Sequence, residues 1–496
     1  MNWKAIFKIQ GLLLVILAVF MVFPILFSLY YRSDDLLELV SSFLITLVTG
    51  LIFILIFRSN EPVKPKEGFV IVTSGWLFAA CFGGLPFFLH GSFGSYIDCV
   101  FEAMSGFTTT GATILTEIEG KPEGLLFWRS LTHWLGGMGI ILLTIAVLPI
   151  FGITSGQLYN AEVPGPTKDR ISPKIKDTAI ILWLIYGGMT VLETLLLMLG
   201  GMSLYDALCH TFGTLATGGF STLNASVGGY NNLYFEIVII FFMYLAGVNF
   251  TLHYKLIRGN FKNFFNNREW FFYSIVLLIA ILLITLNIHF YQYNPQELAE
   301  YSELAQYKKS FWQSLRYAAF QTVSITTTTG FCTANFDVWP AFSRLLLIIL
   351  MFFGGCAGST GGGVKQIRVL IVLKSMINEI KRMAQPKAIF SVNVGSENIT
   401  EVVVKNIIVL VLIFIILFAG ISLFLTLRGY DIITSFAASI ATLGNIGPGL
   451  ARVGPIENYA FFDNMSKIVL IFSMLFGRLE VYSVLILFYS LVPFKK

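Results

Sequence analysis

The chain has 496 residues, of which 56% are hydrophobic and only 12% are charged, and its net charge is +5. A soluble protein carries about 25% charged residues, so this composition excludes an ordinary soluble domain and predicts a polytopic membrane protein. The five cysteines form no CxxC pair, which argues against a transition-metal site or a disulfide framework and favours their use as small apolar packing residues. The positive charge is typical of cytoplasmic loops and indicates no nucleic-acid partner.

Apolar runs of about 20 residues, each long enough to cross a bilayer, recur along the whole chain. The first run is longer than the core of a signal peptide and lacks a small-residue cleavage site, so it predicts a retained helix. In chain order the predicted spans are 9–30, 37–57, 69–90, 124–150, 179–200, 233–254, 270–292, 343–373, 402–426 and 466–491.

The joints between these spans alternate in charge, which predicts the topology. The positive-inside rule places the basic joints in the cytoplasm, together with both termini. The opposite joints are acidic and contain Asp34 and Asp35 or Glu297, Glu300 and Glu303. The basic residues are Lys4, Lys8, Arg58, Lys64, Lys66, Lys168, Arg170, Lys174, Lys176, Lys255, Arg258, Lys262, Arg268, Lys374, Lys381, Arg382, Lys387, Lys495 and Lys496.

Four of the outward-facing joints share one pattern: a short amphipathic, helix-like run followed by Thr or Asn and then a glycine. They read YIDCVFEAMSGFTTTGAT (96–113), LYDALCHTFGTLATGGFST (204–222), FWQSLRYAAFQTVSITTTTGFCT (311–333) and GYDIITSFAASIATLGNIGPG (429–449). The aligned glycines, Gly111, Gly219, Gly330 and Gly447, are 108, 111 and 117 residues apart. A near-constant period predicts a duplicated unit.

Each unit contains two full spans, so all four units enter the membrane from the same side. Inverted repeats would need an odd number of spans in each unit. The predicted fold is therefore an all-α polytopic membrane protein with four parallel M1–pore helix–M2 repeats around a central pore, plus two extra N-terminal transmembrane helices. The predicted boundaries are 1–60 for the N-terminal pair and 61–152, 153–258, 259–388 and 389–496 for the repeats.

The threonine-rich strips suggest what the pore does. Threonine runs are poor helix formers, and non-helical backbone at membrane depth must be buried in protein or line a water-filled cavity. Glycine permits conformations that aim successive carbonyls the same way, and rings of carbonyls can replace the hydration shell of an ion. Thr-Gly pairs are also ordinary loop residues, but four copies at a fixed period favour a selectivity filter.

Over nearly its whole length the chain resembles the TrkH-type subunits of the Trk/Ktr/HKT superfamily of potassium transporters. The resemblance implies K⁺ uptake across the inner (cytoplasmic) membrane by a homodimer, with no cofactor in this chain. It also implies regulation by a cytosolic TrkA-like ring that carries the nucleotide. The segments that carry the resemblance are FTTTGAT, HWLGGMGI (133–140), LATGGFST, TTTTGF, FGGCAGSTGGGVK (353–365), NIGPGL and FGRLE (476–480).

Carried over to this chain, the family's selectivity filter comprises twelve residues. The fourth repeat departs from the Thr-Gly pattern, which implies a looser preference for K⁺ over Na⁺ than in a K⁺ channel. Family members with serine at the first glycine tend toward Na⁺, so Gly111 favours K⁺. The filter residues are Thr109, Thr110, Gly111, Thr217, Gly218, Gly219, Thr328, Thr329, Gly330, Asn445, Ile446 and Gly447.

A glycine-rich stretch, GGCAGSTGGGVKQ (354–366), interrupts the span after the third strip. It is not a phosphate loop, because Val364 stands where a Walker lysine is needed and no strand precedes it. The resemblance implies an intramembrane loop at 354–363 that gates the pore, and the alternative is a passive kink. The proposed gate residues are Gly354, Gly355, Gly358, Ser359, Thr360, Gly361, Gly362, Gly363 and Arg478.

Arg478 lies within the last predicted span, where an arginine is costly and usually faces a partner or a cavity. We expect it to face the pore and to donate hydrogen bonds to the loop at 354–363. The alternatives are an ion pair with Glu480 or Glu193, or a snorkelling side chain. Glu193 is otherwise predicted to be an interhelical hydrogen-bonding residue. His133 and His210 are expected near the outer mouth, without an assigned role.

Other functions are less consistent with the sequence. A Na⁺-conducting protein or a Na⁺- or H⁺-coupled K⁺ transporter of the same superfamily is the principal alternative to simple K⁺ uptake. A secondary carrier for a small organic substrate would need a midplane pocket, which four parallel repeats around a shared filter do not leave. A membrane-embedded enzyme is disfavoured because the chain has no HExxH motif, no paired carboxylates in facing spans and no nucleophile elbow.

Overall fold

The structure is a computed structural model that describes residues 1–59, 63–139, 175–294, 301, 303–308, 310–388, 390–395, 397–481 and 483–485. Apart from one hairpin, Val392–Val394 with Glu397–Ile399, the regular structure in these ranges is helical. The helices are α1 (Trp3–Tyr31), α2 (Leu36–Ile56), α3 (Pro65–Gly83), α4 (Leu85–His90), α5 (Tyr96–Phe107), α6 (Glu123–Gly137), α7 (Ile175–Leu199), α8 (Leu204–Leu215), α9 (Leu233–Ala246), α10 (Phe250–Ile257), α11 (Phe261–Phe265), α12 (Arg268–Phe290), α13 (Glu303–Lys308), α14 (Phe311–Thr326), α15 (Ala341–Met351), α16 (Gln366–Ala384), α17 (Glu401–Leu427), α18 (Ile432–Leu443) and α19 (Asn464–Arg478).

Within these ranges, six helices are long and apolar enough to cross a membrane, and a seventh span results if the bent pair α9 and α10 is counted as one. The prediction of a helical, multi-span membrane protein is thus confirmed. The predicted spans 124–150 and 466–491 and the basic joint at 168–176 extend into residues outside the described ranges. The six helices are Trp3–Tyr31, Leu36–Ile56, Lys66–His90, Asp177–Leu199, Arg268–Phe290 and Glu401–Leu427.

The predicted span 233–254 is not one straight helix but a bent pair, α9 and α10. The chain turns by 101° between α9 and α10. Gly247 sits at the break because a Cβ there would lie 2.5 Å from the Tyr273 hydroxyl, and the Asn249 side chain caps α10 by accepting from the Thr251 N–H at 2.8 Å. Hydropathy missed the bend because the flanking residues are apolar on both sides, although an Asn N-cap after a glycine is a recognisable start signal.

The N-terminal helices α1 and α2 form a tightly packed pair. A Cβ on Gly11 would lie 2.7 Å from the Gly50 carbonyl oxygen, and one on Gly50 would lie 2.9 Å from the Gly11 carbonyl oxygen. Small residues let the two backbones approach this closely in a membrane. Asp35 links the pair to α6 by accepting a hydrogen bond from the Leu125 N–H at 2.7 Å.

Each of the four patterned joints contains a short helix, α5, α8, α14 or α18, whose first turn is fixed by a side-chain cap. The cap accepts a hydrogen bond from the backbone N–H three residues further on, which satisfies a donor left open by the helix. Each helix runs directly into a buried, non-helical strip. The caps are Ser95, Ser203, Ser310 and Asp431.

Two ion pairs join the short helices of these joints to helices that are distant in sequence. Asp98 of α5 lies 2.6 Å from Lys467 of α19, so the last described helix packs beside the first short one. Arg316 of α14 likewise lies 2.6 Å from Glu236 of α9. Such pairs specify the arrangement of helices more than they stabilise it, because desolvation offsets much of the attraction.

Candidate functional site

The four buried strips adopt one shared backbone conformation. A Thr or Asn with positive φ is followed by a residue with negative φ and then by a glycine with positive φ. Positive φ is unusual for a β-branched residue, and its recurrence indicates a functional constraint. The φ values are 54° at Thr109, 55° at Thr217, 61° at Thr328 and 54° at Asn445, and 79°, 79°, 84° and 95° at Gly111, Gly219, Gly330 and Gly447.

The four strips share one hydrogen-bond pattern as well as one set of backbone dihedral angles. In each strip the residue before the glycine donates its N–H to the carbonyl five residues earlier, within the preceding short helix, at 2.8 Å. This bond ties each strip to the C-terminal end of its helix, where carbonyls lack intrahelical partners. The four bonds are Thr110 to Ser105, Gly218 to Gly213, Thr329 to Ser324 and Ile446 to Ala441.

The four strips pack against one another in a closed ring. A Cβ on Gly111 would lie 2.1 Å from the Gly218 carbonyl oxygen, and one on Gly219 would lie 2.1 Å from the Thr329 oxygen. The series continues from Gly330 to Ile446 at 2.0 Å and returns from Gly447 to Thr110 at 2.6 Å. Each strip therefore abuts the next in chain order, and the last abuts the first. A side chain at any of these glycines would collide with a neighbouring backbone.

The strips lie between two cavities. On one side, a cavity of about 220 Å³ is lined by all four ring glycines and by residues that follow the strips. On the other side, a cavity of about 120 Å³ is lined by glycines of the stretch 358–363, by Lys365 and by Arg478. The ring thus separates a vestibule from a space that the glycine-rich loop partly fills.

The loop at 354–363 is closed at its neck and touches the ring. Gly354 donates its N–H to the Val364 carbonyl at 2.9 Å, and Val364 donates to the Phe352 carbonyl at 3.2 Å. At the tip, the Gly362 N–H donates to Oγ1 of Thr328 at 2.7 Å. The residues expected to form a gate therefore lie directly against the third strip.

The loop also rests on the break between α9 and α10, the feature that sequence reasoning missed. Cys356 donates its N–H to the Gly247 carbonyl at 2.8 Å, and Phe250 donates to the Gly358 carbonyl at 3.0 Å. The hydroxyl of Thr360 donates to the Ala246 carbonyl at 3.2 Å. Breaking α9 at this point frees carbonyl and N–H groups that the loop then uses.

Arg478 makes the hydrogen bond to the loop that the sequence predicted. Its Nη1 donates to the Thr360 carbonyl at 2.6 Å, and its Nη2 donates to the carbonyls of Gly136 and Gly137 at the end of α6. The alternative ion pair with Glu480 is not formed, because Glu480 pairs with Arg368. The guanidinium thus bridges the loop to the end of α6.

Lys365 is a site residue that the sequence analysis did not identify. It is only 7% exposed, and its ammonium donates to the Gly361 carbonyl within the loop. The sequence offered a signal, because a lysine that follows a glycine-rich stretch at membrane depth needs a local acceptor or a cavity.

His133 and His210 are fully buried and contact residues that directly follow the second strip. The His133 ring stacks on Phe220, the residue after Gly219, with 4.0 Å between ring centroids. His210 contacts Oγ of Ser221 at 3.0 Å through Nε2. Glu193 on α7 is also fully buried, and its carboxyl oxygens have no hydrogen-bond partner among the described residues.

Comparison with known proteins gives the family of the chain. Residues 39–496 match the TrkH family, described as a cation transport protein. The Trk system potassium uptake protein TrkH of Salmonella typhimurium is 38% identical over 492 residues, covering 98% of this chain and 99% of that protein, and the TrkH protein of Escherichia coli K12 is 37% identical with the same coverage. The crystal structure of the potassium transporter TrkH from Vibrio parahaemolyticus matches with a TM-score of 0.86 and 33% identity over 99% of both chains. The chain therefore belongs to the TrkH family of cation transport proteins.

Proposed function

We propose that this chain takes up K⁺ across the cytoplasmic membrane through the ring formed by its four glycine-containing strips. The observation that carries the proposal is the closed ring of contacts from Gly111 through Gly219 and Gly330 to Gly447. The similar proteins of Salmonella typhimurium and Escherichia coli are named potassium uptake proteins, which supports K⁺ as the ion.

The backbone of the strips suits this role. Alternating positive and negative φ values turn successive carbonyls toward the same side, and stacked rings of carbonyls can replace the hydration shell of K⁺. The proposed ion ligands lie in the strips 109–111, 217–219, 328–330 and 445–447. Asn445 and Ile446 replace the Thr-Gly pattern in the fourth strip, so the selection of K⁺ over Na⁺ should be looser than with four identical strips.

The proposed architecture has four like-oriented repeats around one axis, after the N-terminal pair formed by α1 and α2. Its support is the fourfold recurrence of a capped short helix, a strip of one conformation and a following helix. The ion pair between Asp98 and Lys467 joins the first repeat to the last, as closure of a ring requires. We place both termini and the basic joints in the cytoplasm from the charge pattern.

We further propose that the loop at 354–363 gates the path beneath the ring. It occupies the space next to the third strip, and it is held by the Arg478 bond to Thr360 and by the Gly362 bond to Thr328. The break between α9 and α10 also holds the loop, through Cys356, Gly358 and Thr360. None of these bonds is an intrahelical backbone bond, so the loop can leave its seat without unfolding a helix. A gate of this kind is an element with two positions whose populations a regulatory partner can shift.

We also propose a homodimer that works with a cytosolic, nucleotide-binding ring of the TrkA type. The support is the family resemblance together with the basic joints at 168–176, 255–268 and 374–387, which would dock an acidic soluble ring. The alternative is that these joints are only positive-inside determinants of the topology. Co-purification with a TrkA-like protein tests this proposal. Neutralising all three joints should abolish the complex, and a complex that survives intact would refute their docking role.

The test of the transport function is ion flux into proteoliposomes that contain the purified chain. We expect ⁸⁶Rb⁺ uptake that unlabelled K⁺ inhibits more strongly than Na⁺ does, with or without gradients of Na⁺ or H⁺. Flux that requires one of these gradients would instead identify a coupled transporter, and flux carried equally by Na⁺ would identify a Na⁺-conducting member of the superfamily. Absence of any cation flux from correctly folded protein would refute the proposal.

A further inference from the structure

The position nine residues before each ring glycine differs in chemistry among the four strips. It is occupied by Glu102, His210, Gln321 and Ala438. The first three side chains are fully buried on their short helices, at the back of the strips. Buried polar groups need hydrogen-bond partners, and the partners of these three are equivalent.

Glu102 holds the segment that leaves the first ring glycine. Its Oε2 accepts the N–H of Ile114 at 2.8 Å, and its Oε1 accepts the hydroxyl of Thr113 at 2.8 Å. The two contacted residues are the second and third after Gly111. A single carboxylate therefore fixes the backbone on the outer side of the first strip.

His210 and Gln321 make the corresponding contacts in the second and third strips. Nδ1 of His210 donates to the Asp206 carbonyl at 2.8 Å, which leaves Nε2 to accept the hydroxyl of Ser221, two residues after Gly219. With its amide oxygen oriented by the surrounding donors, Gln321 accepts the N–H groups of Thr333 and Ala334, the third and fourth residues after Gly330, at 2.7 and 3.2 Å.

The fourth strip has no polar group at this position, because Ala438 stands there. Tyr459, which follows the strip in sequence, holds it instead. Its hydroxyl donates to the carbonyl of the ring glycine Gly447 at 2.7 Å. The N–H of Tyr459 also donates to the Thr113 carbonyl at 2.8 Å. The fourth strip is thus held by a different residue, which also contacts the segment following the first strip.

Arg129 connects the first two strips. Its Nε donates to Glu102 at 2.6 Å, and its Nη1 donates to the Ser221 carbonyl at 3.1 Å. The guanidinium carbon lies 3.5 Å from the centroid of the Phe220 ring, directly after Gly219. The buried cation thus places the second strip relative to the first through one rigid, planar group.

We propose that five residues packed against the outside of the strips are positioning residues that set the ion selectivity of the ring. They are Glu102, Arg129, His210, Gln321 and Tyr459. They do not touch the ion. They fix the backbone just outside each ring glycine, and thereby the spacing between carbonyls that distinguishes K⁺ from the smaller Na⁺. The inference rests on the proposed transport of cations through the ring.

The experiment measures the ratio of Na⁺ to K⁺ flux in proteoliposomes, first for the wild-type chain and then for His210→Leu, Gln321→Leu and Tyr459→Phe. Tyr459→Phe loses one hydrogen bond, and His210→Leu and Gln321→Leu lose two each, so we expect the Na⁺/K⁺ flux ratio to rise about three- to tenfold or more. The conservative variant His210→Gln keeps a donor and an acceptor and should restore the wild-type ratio. A merely structural role would change the amount of folded protein without changing this ratio.

Thr285→Val provides the matched control. Thr285 is equally buried, but its hydroxyl bonds only to the Ile281 carbonyl of its own helix. The control should keep the wild-type ratio. If the wild type prefers K⁺ and the folded variants keep its Na⁺/K⁺ flux ratio, this inference is overturned while the proposed function stands. A wild-type chain without cation flux would overturn the proposed function and this inference together.

Discussion

The side-chain amide of Asn445 donates a hydrogen bond to Oγ1 of Thr110 at 2.9 Å, across 335 residues of sequence. The same amide donates to the Met474 carbonyl at 2.9 Å. Asparagine tolerates the positive φ of this position better than threonine does, and its amide supplies two donors where a hydroxyl supplies one. The departure of the fourth strip from the threonine pattern therefore has a structural reason, which is the closure of the ring onto the first strip.

Replacing this amide should weaken the closure. Asn445→Ala removes both hydrogen bonds, at a cost of about 1–3 kcal/mol. We expect a lower midpoint of thermal unfolding and greater inhibition of ⁸⁶Rb⁺ uptake by Na⁺. Asn458→Ala is the control, because the Asn458 side chain makes only a local bond to the Ala460 N–H. Equal Na⁺ inhibition in both variants would contradict a role for Asn445 in closing the ring.

The glycine at the first strip should control ion preference. Gly111→Ser places a Cβ 2.1 Å from the Gly218 carbonyl oxygen at φ +79°, so the backbone of two adjacent strips must shift. We expect a weaker preference for K⁺ over Na⁺, measured as growth of a K⁺-uptake-deficient cell at low K⁺ with and without Na⁺.

Gly91→Ser is a matched control for the backbone strain alone. Gly91 has nearly the same φ of +72°, but a Cβ there would meet no atom within 4 Å. Cells that carry Gly91→Ser should grow with the same dependence on K⁺ and Na⁺ as cells that carry the wild-type chain. If Gly111→Ser gives the same growth curves as Gly91→Ser, the ring glycine does not determine ion preference.

Releasing the loop should raise flux without changing selectivity. Arg478→Ala removes the donor to the Thr360 carbonyl, a hydrogen bond to a charged group worth about 1.5–3 kcal/mol, which corresponds to one to two decades in the open population. Deleting part of 358–363 should act in the same direction. Flux is measured with and without the regulatory partner, after normal yield and dimer size are confirmed.

Arg428→Ala is the control for loss of an arginine, because Arg428 forms a half-exposed pair with Asp463 at 2.9 Å, away from the loop. Its flux should equal that of the wild type. A well-folded Arg478→Ala protein whose flux is unchanged or reduced, and still depends fully on the partner, would show that this arginine does not hold the loop in place.

Glu193 should tolerate loss of its ionisable group. It is fully buried on α7, without a hydrogen-bond partner among the described residues, and an unpaired charge is costly at this depth. A neutral side chain of the same shape should therefore serve equally well, so we expect Glu193→Gln to keep flux within about twofold of the wild type. Glu193→Lys should instead reduce the yield of folded protein sharply. A large loss of flux in Glu193→Gln would indicate that the carboxyl group takes part in ion or proton coupling.

Much of the architecture could be predicted from the sequence, because the bilayer imposes simple rules on length and polarity. Apolar runs predicted the long helices α2, α12 and α17 within two residues at each end, and α1 with a start six residues too late. The recurrence of glycine after Thr or Asn located all four strips. The contact between Arg478 and the loop also followed from local reasoning, because a membrane-embedded arginine and a glycine-rich interruption each require a polar partner.

The tertiary structure alone decided which groups meet. The bend at Gly247 depends on the close approach of Tyr273, and it forms the seat of the loop. The pairing of Glu480 with Arg368 rather than with Arg478 depends on how the segment that follows α19 lies against Arg368 of α16. The order of contacts in the ring, its closure by Asn445 and the bonds of Glu102, His210 and Gln321 join segments that are separate in the sequence. Hydropathy and spacing describe each segment by itself, whereas close packing and the need to pair every buried polar group determine how distant segments fit together.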